Sequence, residues 1–192
     1  MPRPKEFDEE KAVESAMHHF WRHGYEATSV RALADSMGIA GASLYNAFGD
    51  KHLLFERALL SYVGDTFARK PNDMAGLSAI KAFFEKIVAF SVKDPDRKGC
   101  LLVNSALEVA PRNDEVAKII SGVMREVEDF FRRHVAEGQA KGEITAAQAA
   151  PHLAQQLLAT LLGIRVLARV RPERALFNGV LKATFAALEG PR

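Results

Sequence analysis

One cysteine, Cys100, stands in 192 residues, which excludes an intrachain disulfide and a four-thiolate zinc site and fits a reducing compartment. The opening MPRPKEFDEE lacks the apolar core of a signal peptide, and no run of 18 apolar residues occurs anywhere. Neither export by that route nor a membrane span is therefore expected, and a cytoplasmic location is. A clear basic excess is missing too: 26 Lys and Arg face 24 Asp and Glu, a net +2, so any polyanion partner has to be argued from where the cations lie. There is no glycine-rich phosphate loop, no nucleophile motif and no carboxylate pair at a discernible site, so neither an enzyme nor a cofactor-binding protein is expected. No internal repeat, low-complexity run or convincing period-two segment is present. Apolar residues at 48% and charged residues at 26% are those of an ordinary folded chain, long enough for one large domain or two small modules.

What is present is helical periodicity. Val13, Ala16, Met17 and Phe20 fall on one face of a helix expected over 8–23. Asp8 is its N-cap, Glu9 and Glu10 suit its positive end, and Gly24 stops it. Shorter helices are expected over 28–36 and 41–47 and a long one over 50–69, capped by Asp50. Residues 76–93 are helical, and KDPDRK at 93–98 is a polar turn. Residues 101–110 admit a short strand at Leu101–Val103 or a helix, and helical neighbours favour the helix. A long amphipathic helix runs from Asp114 to near Gly138, and two more close the chain at about 146–170 and 173–188. The expected fold is all-α.

Residues 30–48, VRALADSMGIAGASLYNAF, form a helix-turn-helix pattern. Ala34 is the small residue the close helix pair needs, and Gly38 permits positive φ in the turn. Val30, Leu33, Met37, Ile39 and Leu44 seat the pair; a bare helical corner in a larger bundle would satisfy the same apolar set. Ser43, Tyr45 and Asn46 on the second helix are not needed for a core and can reach base edges or phosphates in a major groove. Lys51, Thr28, Ser29 and Arg31 offer phosphate anchors, and Arg3 and Lys5 lie in an arm that can approach the duplex. Residues 1–52 nevertheless hold 6 Lys and Arg against 8 Asp and Glu, so such a reader depends on locally placed cations.

The run FDEEKAVESAMHHFWRHGYEATSVRALADSMGIAGASLYNAFGDKHLLFERAL closely resembles the N-terminal module of the TetR family of bacterial repressors, in HGYEATS at the end of its first helix and in LYNAFGDK above all. KGCLLVNSALE at 98–108 is similar to a run in the regulatory domain of some members. The resemblance implies a three-helix DNA-binding module at 1–52 and an α-helical domain for ligand binding and dimerisation at 53–192. It further implies that Thr28, Arg31, Gly41, Ser43, Tyr45, Asn46 and Lys51 occupy positions that touch DNA. Many members carry a serine cap, a lysine and an aromatic where this chain has Ala40, Gly41 and Ala47, which implies fewer side-chain contacts to phosphates here.

Tyr62, Phe83, Phe84, Phe90, Phe130 and Phe131 are ordinary core material that can equally line an apolar cavity. The resemblance implies an effector of unknown identity in such a cavity, with Asn104 and His134 as polar contacts and Cys100 and Val127 beside them. Cys100 can be a sensing thiol near Arg97 and Lys98, or a buried inert one. His19 and His23 have a metal-compatible spacing but lack a third ligand, so no metal site is expected. Small residues recur as Ala175, Gly179, Ala183 and Ala187, with Ala159 and Gly163 before them, which lets helix backbones approach. Flanked by Leu157, Leu161, Ile164, Phe177, Val180 and Leu188, they mark the expected homodimer interface. The helix starting at Asp50 is the expected lever between effector and DNA, with Leu59, Tyr62 and Phe67 at the cavity. The competing reading is an all-α carrier or sensor of a small apolar molecule without specific DNA binding.

Overall fold

The computed structural model describes residues 7–67 and 74–189. Arg3 and Lys5 lie outside the described residues. Within them the chain is all-helical, in the order α1 Glu9–His23, α2 Val30–Met37, α3 Gly41–Phe48, α4 Lys51–Phe67, α5 Gly76–Lys93, α6 Leu101–Glu108, a 3-10 turn at Ala110–Arg112, α7 Asp114–Ala140, α8 Ala150–Val170 and α9 Arg174–Glu189. The chain divides into two compact units. Unit 1 comprises Met1–Arg69 with Asn104–Ile119, and unit 2 comprises Lys70–Val103 with Ile120–Arg192. A functional division at residue 52 is a different partition, and it cuts α4.

Unit 1 begins where local chemistry dictates. Asp8 Oδ1 accepts the N–H groups of Glu10 and Lys11 at 3.1 and 3.2 Å, satisfying donors the first helical turn cannot bond internally. The Lys11 N–H in particular holds the Asp8 carboxyl below its usual range. Ala12, Val13, Ala16, Met17, Phe20 and Trp21 turn inward from α1 and meet Leu54, Phe55, Ala58 and Leu59 of α4, all buried. Phe20 packs edge-on against Phe55 at 5.0 Å, and Trp21 against Tyr62 at 4.9 Å, the quadrupole-favoured arrangement. Leu59 and Tyr62 are thus core residues of unit 1, at 0% and 3% exposure, and enlarging Leu59 would overpack that core.

Unit 2 is built on a phenylalanine cluster. Phe84 and Phe131 stack at 5.6 Å, Phe83 lies against both, and Phe130 packs against Phe83 and His134. The start of α5 has no side-chain cap of its own. The N–H groups of Gly76 and Leu77 donate instead to Glu137 and Glu143, and the Gly76 N–H keeps the Glu137 carboxyl below its usual range. Residues 101–108 settle as helix, ended by the turn containing Pro111. The helix expected from 146 begins only at Ala150. Pro151 in its first turn has no N–H to extend the ladder backwards, and Gln139 Nε2 holds the preceding loop by donating to the carbonyls of Thr145 and Gln148.

Among the described residues α8 alone is long and apolar enough to cross a membrane. Its Leu153, Leu157, Leu161, Ile164 and Ala168 are buried within unit 2, and so is Arg165, which donates to Ser91 Oγ at 3.3 Å. One face of α8 therefore packs into the core of unit 2, while Val166 and Val170 stay exposed.

Candidate nucleic-acid interface

The turn between α1 and α2 is set by Gly24, whose φ of +84° an L side chain rarely adopts. Its carbonyl accepts the Thr28 hydroxyl at 2.6 Å, and the Thr28 N–H donates to Tyr25 O. Thr28 is 2% exposed: its hydroxyl, one of the expected phosphate anchors, closes this turn rather than facing outward. Ser29 then caps α2 by accepting the Ala32 N–H at 3.1 Å, and Gly38 in the left-handed region ends it. Leu33, Ala34 and Leu44 are buried where α2 meets α3, while Val30, Met37 and Ile39 of the expected seating set are half-buried.

With its apolar side fixed in this way, α3 turns the rest of its surface outward. Gly41, Tyr45 and Asn46 are exposed, Tyr45 to 53%, and Ser43 is half-buried. Ala40 at the N-cap makes no side-chain cap, and a Cβ on Gly41 would meet nothing within 4 Å. The first turn of α3 is therefore uncluttered, an end where backbone N–H groups and the helix dipole suit a phosphate. Arg31 is exposed on α2. Lys51, in the first turn of α4, holds its Nζ 4.2 Å above the Tyr25 ring, a cation–π contact that restrains a long side chain. Asp50 caps α4 through the Leu53 N–H at 2.8 Å. Sequence reasoning gave Tyr25 no role, yet its ring also touches Phe20 and Phe55 and so ties Lys51 to the core; only its place in HGYEATS pointed to it. Installing the missing cap by Ala40→Ser is expected to raise the melting temperature by about 2–4 °C, the size of a typical cap of ~1 kcal/mol. An unchanged midpoint in thermal unfolding would mean that this helix end is already satisfied.

Two family models match the chain: "Bacterial regulatory proteins, tetR family" over residues 12–58, and "Tetracyclin repressor-like, C-terminal domain" over 76–184. The HTH-type transcriptional repressor ComR of Escherichia coli K12 is 32% identical over 174 residues, covering 87% of this chain and 82% of that protein. The chain belongs to the TetR family. It is a DNA-binding transcriptional regulator, in a family of regulators rather than of enzymes. A cysteine mutant of the TetR-family regulator CifR, solved with a 26-base-pair operator duplex, superposes with a TM-score of 0.85 at 30% identity, over 97% of this chain and 99% of that one. HTH-type transcriptional repressor BdcR of E. coli K12 shares 45% identity over 62 residues, 32% of each chain, a match confined to about the length of one TetR-type N-terminal module.

Residues expected at the other TetR-family sites are spread over both units. Of the effector set, Tyr62 and Asn104 belong to unit 1, and Phe84, Phe90, Cys100, Val127, Phe130 and His134 to unit 2. Phe84, Val127 and Phe130 are buried there, and Cys100 is half-buried and not in a disulfide. Phe90 is 45% exposed with the Arg165 guanidinium 5.5 Å from its ring centre. Among the described residues no group of three metal-binding side chains occurs, and His19 and His23 only pack on one another. The expected dimer flank needs correction. Leu157, Leu161, Ile164, Phe177 and Leu188 are buried inside unit 2, because the broad apolar stripes of α8 and α9 serve the protomer's own core. Ala159, Gly163, Ala175, Gly179, Ala183 and Ala187 are exposed, Val180 is half-buried, and Val166 and Val170 add exposed apolar surface.

Proposed function

We propose that the chain is a homodimeric repressor that reads a pseudo-palindromic operator and is released from it by a small-molecule effector. The observation that carries this reading is the outward face of α3, with Tyr45 and Asn46 exposed beside an unobstructed helix start and with Lys51 poised at the next helix. Tyr45, Asn46 and Ser43 read base edges; Ser29, Arg31, Lys51 and the backbone at Gly41 hold phosphates. Residues 1–52 supply these contacts and 53–192 the effector site and dimer surface. The relative named as a repressor and the neighbour solved on operator DNA support the assignment. A two-fold dimer through the exposed small-residue surface of α8 and α9 would set two recognition helices about 34 Å apart, one turn of DNA. The effector is an apolar molecule met by the aromatic side chains of unit 2, with His134 giving it a polar contact. The protein works in the cytoplasm and is not a catalyst.

The acidic balance of residues 1–52, 6 cations against 8 anions, favours the carrier reading instead. Titrating the protein against a labelled duplex from upstream of its own gene separates the two. The repressor reading expects a Kd of about 10⁻⁸ M or tighter at physiological salt, and at least ~10³-fold weaker binding to an unrelated duplex. Equal binding to both duplexes would leave the carrier.

A further inference from the structure

The geometry points to Glu108 as a positioning residue for DNA binding, which clamps the α1–α2 turn from the end of α6. This rests on the DNA-binding reading given above. Glu108 lies 82 residues beyond Glu26 in the chain but belongs to the same compact unit. Its Oε1 accepts the Glu26 N–H at 2.9 Å and its Oε2 accepts the Tyr25 N–H at 3.1 Å. A carboxylate that spans two successive backbone donors fixes the peptide between them, and charge-assisted bonds of this kind are the strong ones. The fit is close: a Cβ on Gly24 would lie 3.0 Å from Oε1 and 3.1 Å from Oε2.

The clamped peptide sets the path of the chain into α2. Tyr25 carries the ring beneath Lys51 Nζ, and two residues beyond Glu26 the turn closes on Thr28 before Ser29 caps α2. A second tie lies five residues along. Asn113 caps α7 through the Val116 N–H at 2.8 Å, and its Nδ2 sits 2.8 Å from Nε2 of His52, the neighbour of Lys51. Segment 104–119 therefore holds both supports of the Lys51 anchor, the ring beneath it and the helical turn that bears it.

Charge alone and positioning predict opposite signs for Glu108→Gln. Removing a negative charge from a DNA-binding unit should leave duplex affinity unchanged or slightly tighter. Replacing one acceptor oxygen by an amide NH₂ that faces a backbone N–H should loosen the turn and weaken binding. The test measures duplex binding across a salt series for wild type, Glu108→Gln and the charge control Glu115→Gln, whose carboxylate is exposed and pairs only with Lys118 in the next turn. Hydrogen exchange at Tyr25 and Glu26 is read in parallel, and helical content is checked at the assay temperature. The expected result is at least a fivefold loss of affinity for Glu108→Gln, at the low end of typical intramolecular couplings. It comes with a salt slope shallower by about one unit as the Lys51 contact is lost, faster exchange at the two amides, and no loss for Glu115→Gln. Should Glu108→Gln fail to fold, Glu108→Asp, which keeps the charge and retracts it by one methylene, is expected to show the same losses to a smaller degree. Wild-type-like affinity and slope in the folded variant overturn the role of Glu108 and leave the DNA-binding reading standing. Failure of the wild type itself to bind any duplex overturns both.

Discussion

Replacing Gly179 by aspartate is expected to convert the protein to monomers at micromolar concentration and to lower operator affinity by about 100-fold or more. The substitution is clean within the protomer, since a Cβ at Gly179 meets nothing within 4 Å and the position is exposed on α9. Aspartate is no worse than glycine inside a helix. Any loss of assembly then comes from a carboxylate placed in the proposed subunit contact, where it would be desolvated without a partner. The effect on DNA is large because two half-sites held in one dimer raise the second binding event to an effective concentration worth 10²–10⁴ in avidity. Sedimentation and fluorescence anisotropy on the same sample decide the matter. A variant that sediments as a monomer and still binds the operator like wild type would disconnect assembly from DNA recognition.

Tyr45→Ala and Lys51→Ala should weaken operator binding in distinguishable ways. Tyr45 is 53% exposed, so its loss leaves the core intact and removes a base-edge contact, and discrimination of about 1–3 kcal/mol at one base pair goes with it. Affinity for the preferred operator falls about tenfold or more, while affinity for unrelated duplexes barely changes. Lys51 touches the backbone in this reading, so its removal weakens all sequences alike and lowers the salt slope by about one. It also removes the cation above the Tyr25 ring, which costs about 0.5–1 kcal/mol at a site of this exposure. If neither change reaches about threefold, α3 is not the recognition helix.

Helix starts were legible in the sequence at Asp8 and Asp50, whose side chains bond the N–H two or three residues on; such bonds are local, so residue type and spacing suffice to find them. Ser29 caps α2 in the same way, yet in the sequence it reads as a phosphate anchor within a helix expected from 28. The start of α8 was not legible, because a side-chain bond from Gln139, at the end of α7, holds the Thr145 and Gln148 carbonyls and competes there with helix extension. The seating of α3 was legible because Leu33, Ala34 and Leu44 belong to one short hairpin. The facing of α8 and α9 was not. A helix that packs on two sides carries apolar residues nearly all round, and periodicity cannot tell which stripe meets its own core. Thr28 illustrates the same limit at one residue, for a hydroxyl reads identically whether it faces a phosphate or the Gly24 carbonyl 2.6 Å away. Glu108 left no local signal, since its partners are backbone N–H groups more than eighty residues upstream.

The discontinuity of unit 1 constrains how the protein comes into being. Residues 70–103 are an excursion between its two parts, so on the ribosome the helix-turn-helix emerges well before the segment that ends at residue 119. Until Glu108 emerges the Tyr25 and Glu26 amides lack its carboxylate, and the turn ahead of α2 rests on the local bonds of Thr28. Domains synthesised first usually fold as units while synthesis proceeds. Here the DNA-reading end is first out of the ribosome, yet the Glu108 bonds to the turn ahead of α2 can form only after residue 108 has followed.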